Sequence, residues 1–234
     1  MRGMQSLLVS LLVIGASRGV GEAIVRLALA RGTQVTALVR SREARTGLDP
    51  SARQLTLLTA DVRSEPELEQ AAKRVVSSFD AIVYNAAVHL EHDRRDIEDC
   101  DPEAALRMLD VNAAGAVRAV KWFRRCLAPN GALCFISSEA GSISAAKRTT
   151  EYGYCMSKAA LNMLTKLLAN REAALGTGVR VFALHPGWVR TEMGGQNAEL
   201  SPDESATAVL DTLEQSLKEP GASFVDRFGA PMEW

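Results

Sequence analysis

The sequence has few cysteines, no long hydrophobic run and almost no net charge. The four cysteines show no C-x-x-C spacing, which argues against a metal site or a disulfide framework and favours reduced thiols in the cytoplasm. The apolar segment 7–14 is shorter than the roughly 18–20 residues of a membrane span. Because glycines follow it where a signal peptide would be cleaved, we interpret it as a buried strand. The net charge of −1 gives no sign of a nucleic-acid or membrane partner.

The composition is otherwise that of a globular protein, with 234 residues of which 47% are hydrophobic and 24% charged. Apolar segments typical of strands alternate with segments of helical spacing, without repeats or low-complexity linkers. We predict strands at 7–14, 34–39, 54–59, 80–84, 132–137, 179–184 and 222–225, and helices at 20–31, 65–78, 102–127, 152–175 and 201–217. The alternation predicts an α/β fold: a doubly wound, mostly parallel sheet of Rossmann type with helices on both faces, as one domain over 1–234.

A glycine-rich turn, Gly15-Ala16-Ser17-Arg18-Gly19-Val20-Gly21, joins the first predicted strand to the first helix. Glycines let the backbone approach a pyrophosphate, and a helix N-terminus offers free N–H groups and the positive end of its dipole. The spacing differs from the common G-x-G-x-x-G, and a simple tight turn would also use glycines. The position between strand and helix favours phosphate binding, with contacts from Gly15, Ser17, Arg18, Gly19, Val20 and Gly21.

The second predicted strand ends in Val39-Arg40-Ser41-Arg42, without the acidic residue that holds a ribose 2′-hydroxyl in NAD-selective sites. Arg40 stands 19 residues after Gly21, near the usual offset, and an arginine there suits a 2′-phosphate. Arg18 can add a second contact to that phosphate. We therefore expect NADP(H) as the preferred cofactor and NAD(H) as an alternative. The competing interpretation is that Arg40 and Arg42 are solvated loop charges.

Tyr154 and Lys158 are four residues apart on a predicted helix and therefore share one face. A phenol titrates near pH ~10, and an ammonium close by lowers its pKa. Such a tyrosine can give or take a proton, which the reduction of a carbonyl requires. Because Tyr-x-x-x-Lys also occurs by chance in many helices, the other motifs decide its interpretation.

Further motifs follow in a fixed order: Asp61, Asn85-Ala86-Ala87, Asp110-Val111-Asn112, Ile136-Ser137-Ser138, residues 154–162 and residues 185–191. With the glycine turn they resemble the short-chain dehydrogenase/reductase family over nearly the whole chain, especially its carbonyl-reductase-like and C-factor-like subgroup. The resemblance implies four catalytic residues, Asn112, Ser138, Tyr154 and Lys158. It also implies cofactor contacts from Asp61, Val62, Asn85, Ala86, Ala87, Tyr154, Lys158, Pro186, Gly187, Val189 and Thr191.

The resemblance also implies a mechanism. Ser138 would polarise the substrate carbonyl, Tyr154 would donate the proton, and Lys158 would lower the pKa of Tyr154 and hold the nicotinamide ribose. Asn112 would fix a water that links Lys158 to solvent. Two alternatives remain open: Ser137 is close enough to replace Ser138, and Asn112 is alternatively a buried helix amide bonded to backbone.

Three residues depart from the family pattern, namely Ile14, Tyr84 and Ala87, and none of them is a catalytic group. Ser138 and Tyr154 are 16 residues apart, more than in many relatives, and we interpret 144–151 as a loop beside the substrate. His185 is interpreted as structural, and His89 and His92 receive no role. Trp188 and Trp234 are expected to pack over the site or in an interface.

The motifs predict an oxidoreductase that reduces a small carbonyl compound to an alcohol with NADP(H), or runs the reverse reaction. The alternative is a nucleotide-binding, C-factor-like signalling or regulatory protein with little turnover. The two longest predicted helices, 102–127 and 152–175, form the dimer face in many relatives, so a homodimer is expected.

Overall fold

The computed structural model describes residues 8–41, 47–90, 96–219, 221 and 223–234; Leu7, Arg42, His92 and Ala222, named above, lie outside them. Its strands are β1 (Ser10–Ile14), β2 (Gln34–Val39), β3 (Leu55–Thr59), β4 (Phe79–Tyr84), β5 (Leu127–Ile136), β6 (Arg180–His185) and β7 (Phe224–Asp226). Its helices are α1 (Gly19–Ala30), α2 (Glu65–Lys73), α3 (Pro102–Leu109), α4 (Gly115–Phe123), α5 (Tyr152–Ala174) and α6 (Pro202–Lys218). Among these helices, none combines the length and hydropathy of a membrane span.

The seven strands form one sheet in the order β3-β2-β1-β4-β5-β6-β7, and every neighbouring pair is parallel. The order reverses at β1, which pairs with β2 on one side and with β4 on the other. Parallel sheets of this kind bind ligands outside the carboxyl ends of the strands at such a reversal. Ile14 is in register with Tyr84, so Gly15 and Asn85 meet at that point.

Alternate residues of the central strand face opposite sides of the sheet, and both sides are buried. Leu11 and Val13 pack against α1 and α6, whereas Leu12 and Ile14 pack against α2, α4 and α5. All four side chains are at most 1% exposed. Burial on both faces explains the continuous apolar run in the sequence, and the prediction of a doubly wound sheet is confirmed.

The predicted helix 102–127 is confirmed as one helical stretch but not as a regular α-helix, because a π-helical turn interrupts it. It comprises α3, a π-helical turn at Asp110–Ala114, α4 and a 3₁₀ turn at Arg124–Cys126, and β5 already begins at Leu127. The apolar spacing continues across the π turn, so the sequence pattern does not reveal the break. The helix predicted at 65–78 ends at Lys73, before Val75, Val76 and two serines, which are weak helix formers. Most other predicted ends differ from the structure by one to three residues, and β5 begins five residues before its predicted start.

Candidate active site

A cleft of about 1470 Å³ opens at the carboxyl ends of β1, β4, β5 and β6. All but two of the site residues predicted from the sequence line it, from the glycine turn at one end to Ser138 and Tyr154 at the other. The exceptions are Gly21, which packs beneath the turn, and Asn112, which is fully buried. Within the described residues, no group of three His, Cys, Asp or Glu side chains has a geometry suited to a metal ion.

The glycine turn leaves room for a ligand because its glycines pack directly on the end of β4. Gly15 has φ +88°, and a Cβ added there would lie 2.5 Å from the backbone nitrogen of Ala86. A Cβ at Gly21 would lie 2.5 Å from Nδ2 of Asn85, which itself donates to the Gly15 carbonyl at 2.8 Å. No side chain in the described chain caps the N-terminus of α1. Its N–H groups therefore face the cleft uncapped, as a pyrophosphate site requires.

Arginines also line this end of the cleft. Arg40 is exposed at the end of β2, and its charge helps Arg63 to lower the pKa of Asp61. The main cause of that lowering is the hydrogen bond from Arg63, which pairs with Asp61 at 2.7 Å. Arg18 pairs with Glu192, and both side chains are largely exposed. Since exposed ion pairs contribute little, a phosphate can replace Glu192 as the partner of Arg18.

The two candidate serines differ in what they contact. The hydroxyl of Ser137 is buried and donates to Oδ1 of Asn162 at 2.6 Å. The hydroxyl of Ser138 donates to Oε2 of Glu139 at 2.6 Å, and its hydrogen bond with Tyr154 lowers the pKa of that phenol. Only Ser138 is therefore in a position to act together with Tyr154, and the geometry favours it over Ser137.

The sequence predicts that Lys158 lowers the pKa of Tyr154. The protein's own groups alone do not produce this lowering. Burial is the largest influence on the phenol and raises the pKa of Tyr154 to about 12. The Lys158 ammonium donates to the Ile136 carbonyl at 2.9 Å and lies 5.7 Å from the centre of the Tyr154 ring. Burial also lowers the pKa of Lys158 to about 8, so the amine remains mostly protonated at pH 7 but loses its charge above that value. Desolvation thus outweighs the attraction that the sequence spacing suggested.

Asn112 lies in the π turn, and its amide is engaged with backbone. Its Nδ2 donates to the Val88 carbonyl at 2.9 Å and to Oγ of Ser157 at 2.9 Å, and its Oδ1 accepts from the Val88 N–H at 2.8 Å. The side chain thus matches the alternative given above, a buried amide bonded to backbone. These bonds hold the segment after β4 against α5, and a role for Asn112 in fixing a water stays a prediction.

Five ionisable side chains form what we call the polar collar around Ser138 and Tyr154: His89, Glu139, Arg148, Glu151 and His185, all lining the cleft. Arg148 pairs with both Glu139 and Glu151. The His89 ring stacks on Tyr154 with centroids 4.5 Å apart. The sequence interpretation placed the 144–151 loop beside the substrate but gave none of these five side chains a role in the site. The available signal was the set of charged residues between Ser138 and Tyr154.

Three aromatic residues that carried no firm prediction have structural roles. The Tyr84 hydroxyl donates to the Val111 carbonyl at 2.6 Å. Trp188 lies at the cleft and donates from Nε1 to the Gly194 carbonyl at 2.8 Å. Trp234 stacks on Phe224, and its carbonyl accepts from both the backbone N–H and the hydroxyl of Ser144. Trp234 thereby holds the start of the 144–151 loop.

Comparison with known proteins agrees with this architecture. The model of the family described as short chain dehydrogenase matches residues 10–201. A 1-hydroxy-2-glutathionyl-2-methyl-3-butene dehydrogenase from Rhodococcus sp. (strain AD45) is 26% identical over 233 residues, covering 96% of this chain and 99% of that protein. The C-signal protein of Myxococcus xanthus is 32% identical over 139 residues, covering 58% of this chain and 82% of that protein.

Two solved structures are similar along nearly their full length. A short-chain dehydrogenase/reductase from Burkholderia multivorans with bound NADP has a TM-score of 0.90 and 31% identity, covering 97% of this chain and 100% of that one. A carbonyl reductase from Pseudomonas aeruginosa PAO1 in complex with NADP has a TM-score of 0.83 and 29% identity, with the same coverage. Because the family model spans most of the chain, the protein belongs to the short-chain dehydrogenase/reductase family of oxidoreductases.

Proposed function

We propose that the protein is an NADP(H)-dependent reductase of small carbonyl compounds, running by hydride transfer. The observation that carries the proposal is the convergence of Ser138, Tyr154 and Lys158 on one cleft, with the uncapped glycine turn at its other end. Bound NADPH supplies the hydride. The NADP-bound structures of similar proteins support this choice of cofactor.

Ser138, Tyr154 and Lys158 have separate roles in the proposed reaction. The Ser138 hydroxyl turns from Glu139 towards the substrate oxygen and polarises the carbonyl. The Tyr154 hydroxyl donates its proton to the forming alkoxide. Lys158 holds the nicotinamide ribose, and its amine reaches the back of the Tyr154 ring. Burial disfavours the Tyr154 phenolate, and a positively charged oxidised cofactor bound in the cleft would offset part of that cost.

The test is a reductase assay of the pure protein on a panel of carbonyl compounds with NADPH and with NADH. Tyr154→Phe should bind NADPH as the wild type does and lose turnover by about 10²–10⁴-fold, as for a positioned proton donor. Tyr152→Phe is the matched control, since that phenol bonds the Thr149 carbonyl outside the cleft and its loss should leave turnover unchanged. Wild-type turnover in Tyr154→Phe would overturn the catalytic assignment.

The similarity to C-signal favours a second candidate, a nucleotide-binding signalling or regulatory protein with little turnover. The same assay separates the two functions. Tight NADPH binding without reduction of any carbonyl in the panel would support the second, whereas turnover that depends on Tyr154 supports the first.

Cofactor choice in this proposal depends on Arg40, whose planar guanidinium suits a 2′-phosphate. A hydrogen bond to a charged partner contributes about 1.5–3 kcal/mol, and because Arg40 is exposed we expect about a tenfold preference for NADPH in kcat/KM, decreasing with added salt. Arg40→Asp should reverse the preference, because it places a negative charge opposite the phosphate and an acceptor opposite a 2′-hydroxyl. Arg53→Asp changes the same charge at an exposed position outside the cleft and should leave the preference intact. An unmoved preference in Arg40→Asp would refute the assignment.

The proposal extends to the assembly and location of the protein. One sheet runs through the described residues, so we treat 1–234 as a single dinucleotide-binding domain. Exposed apolar side chains on α5, namely Met156, Met163 and Leu167, support a homodimer formed through that helix. Four cysteine thiols without disulfides support a reducing compartment, the cytoplasm.

A further inference from the structure

The substrate end of the cleft contains charged side chains that have no role in the proposed carbonyl reduction. The polar collar runs as a continuous chain in which Arg148 bridges two carboxylates, those of Glu139 and Glu151. Beyond them, Nδ1 of His185 lies 3.5 Å from Glu139, and Nε2 of His89 lies 3.5 Å from Glu151. This chain of side chains contacts Ser138 through Glu139 and Tyr154 through His89, where the reacting carbonyl would be held.

The charges of the polar collar select against two kinds of substrate. Two of its five side chains are carboxylates, so an anionic substrate group placed against Glu139 or Glu151 would be repelled. A purely apolar substrate would cover Arg148, Glu139 and Glu151 without offering them a hydrogen bond, which is costly for charged groups. A hydroxyl group avoids both problems, because it can donate to a carboxylate and accept from a guanidinium.

The distance between Glu139 and the catalytic serine fixes where such a hydroxyl would lie. Oε2 of Glu139 is 2.6 Å from Oγ of Ser138, so a carboxylate lies one hydrogen bond away from the group that polarises the carbonyl. A hydroxyl on the carbon next to the carbonyl can reach that carboxylate. When it does, it replaces the Ser138 hydroxyl as the donor to Glu139 and releases Ser138 for the substrate.

We propose that the substrate of this site is a hydroxylated carbonyl compound, such as a hydroxyketone or a small sugar, whose hydroxyls are bound by Glu139, Arg148 and Glu151. This inference rests on the proposed carbonyl reduction. The loop that carries Arg148 and Glu151 is held by Ser144, whose N–H and hydroxyl both donate to the Trp234 carbonyl, so the groups are fixed before substrate binds.

The experiment compares substrates matched in size. kcat/KM with NADPH is measured for hydroxyacetone against butanone and for dihydroxyacetone against diethyl ketone, with pyruvate as the anionic analogue. An α-hydroxyl also makes a carbonyl more electrophilic, so the decisive quantity is how the hydroxylated-to-plain ratio changes between wild type and variants. That ratio does not depend on the folded fraction of a sample, since both substrates are measured on the same preparation.

Arg148→Met and Glu151→Gln should each lower the dihydroxyacetone-to-diethyl ketone ratio about tenfold or more, the loss expected for one hydrogen bond to a charged group, and Glu139→Gln should do the same to the hydroxyacetone-to-butanone ratio. Lys147→Met removes a charge from the neighbouring position of the same loop, outside the cleft lining, and should leave the ratio unchanged. Arg148→Lys keeps the charge without the forked geometry and should give an intermediate ratio.

An unchanged ratio in Arg148→Met and Glu151→Gln, or a wild type that prefers pyruvate to hydroxyacetone, would overturn the inference while leaving carbonyl reduction intact. Failure of the wild type to reduce any compound in the panel, plain ketones included, would instead overturn the proposed function and this inference with it.

Discussion

Lys158, proposed above as a catalytic residue, destabilises the folded protein. Its amine is 2% exposed, and burial lowers its pKa from 10.5 to about 8. The unfolded chain holds the proton up to the higher value, so the penalty is complete below pH ~8 and disappears as the pH rises towards ~10.5. A group with this sign destabilises the fold near neutral pH, which is tolerable where the charge serves catalysis.

Lys158→Met should therefore lose activity and gain stability. We expect weaker NADPH binding and lower turnover, together with a gain of about 2 kcal/mol at pH 7 after allowing for the lost hydrogen bond to Ile136. For a chain of this length that gain raises Tm by about 4–8 °C. Thermal melts at pH 7 and pH 10 measure it, and the gain should shrink at the higher pH. Lys166→Met, at an exposed site on the same helix, is the control. A gain independent of pH would contradict the explanation.

Site residues could be predicted from the sequence where they belong to a motif of adjacent residues. The glycine turn and the Tyr154–Lys158 pair are local patterns, and the structure brings both to one cleft. The choice between Ser137 and Ser138 was not predictable, because it depends on Asn162, which lies 25 residues after Ser137 in the chain. The polar collar combines residues from three separate segments, so no local pattern reveals it.

The last turn of α5 is fixed by a buried carboxylate. Glu172 is 2% exposed and accepts hydrogen bonds from Nε and Nη2 of Arg124, at 3.0 and 2.5 Å, and from the Thr177 hydroxyl at 2.6 Å. Chiefly the hydrogen bond from Arg124 lowers the pKa of Glu172 to about 2. The stabilisation is therefore present above the ordinary pKa of ~4.3 and is lost as the pH falls towards 2.

Glu172→Gln should destabilise the protein by about 2–3 kcal/mol at pH 7, because Arg124 loses its charged partner beside a buried amide. Urea unfolding at pH 7 and at about pH 3 measures the difference, which should narrow at the lower pH because the carboxylate is then protonated in the unfolded chain while still largely ionised in the fold. Glu69→Gln removes one partner of an exposed pair with Lys73 and should cost no more than about 0.5 kcal/mol. Equal losses for the two variants would show that burial is not the cause.

Helix ends and interruptions were the least predictable elements. The π turn at Asp110–Ala114 exists because Asn112 bonds the backbone of Val88, a contact with the segment after β4. The Tyr84 hydroxyl also bonds a carbonyl of this turn, and a Cβ at Gly115 would lie 2.6 Å from that hydroxyl. These contacts join distant parts of the chain, whereas apolar spacing reports only which face of a helix is buried.

The doubly wound, parallel arrangement of the sheet was predicted from the alternation of strands and helices, because right-handed crossovers leave few parallel arrangements for such a chain. Because both faces of the sheet are buried, its strands could be recognised in the sequence as continuous apolar runs. The exposed apolar residues of α5 could not be predicted in this way, because in the sequence they look like part of an ordinary amphipathic helix. Their exposure becomes visible only when the sheet-facing side of α5 is known.

Met156, Met163 and Leu167 lie on one side of α5, seven and then four residues apart, and are 54%, 60% and 58% exposed. Val117 on α4 is also 50% exposed. A two-fold axis would place this stripe against its own copy, and such a self-complementary contact is typical of homodimers. We expect the wild type to have twice the chain mass of 25.2 kDa by light scattering after gel filtration.

Leu167→Glu should weaken that dimer by about 100-fold or more, because burying an unpaired carboxylate in an apolar contact costs several kcal/mol. Dilution series of the variant should then give the monomer mass at concentrations where the wild type remains dimeric. Val76→Glu is the matched control: Val76 is 98% exposed, lies outside the described helices and should tolerate the charge without a change in mass. A monomeric wild type, or a Leu167→Glu variant that dimerises as tightly as the wild type, would exclude α5 as the interface. A single cooperative unfolding transition in Leu167→Glu shows that the variant is folded, so that a change in mass reflects the contact between copies.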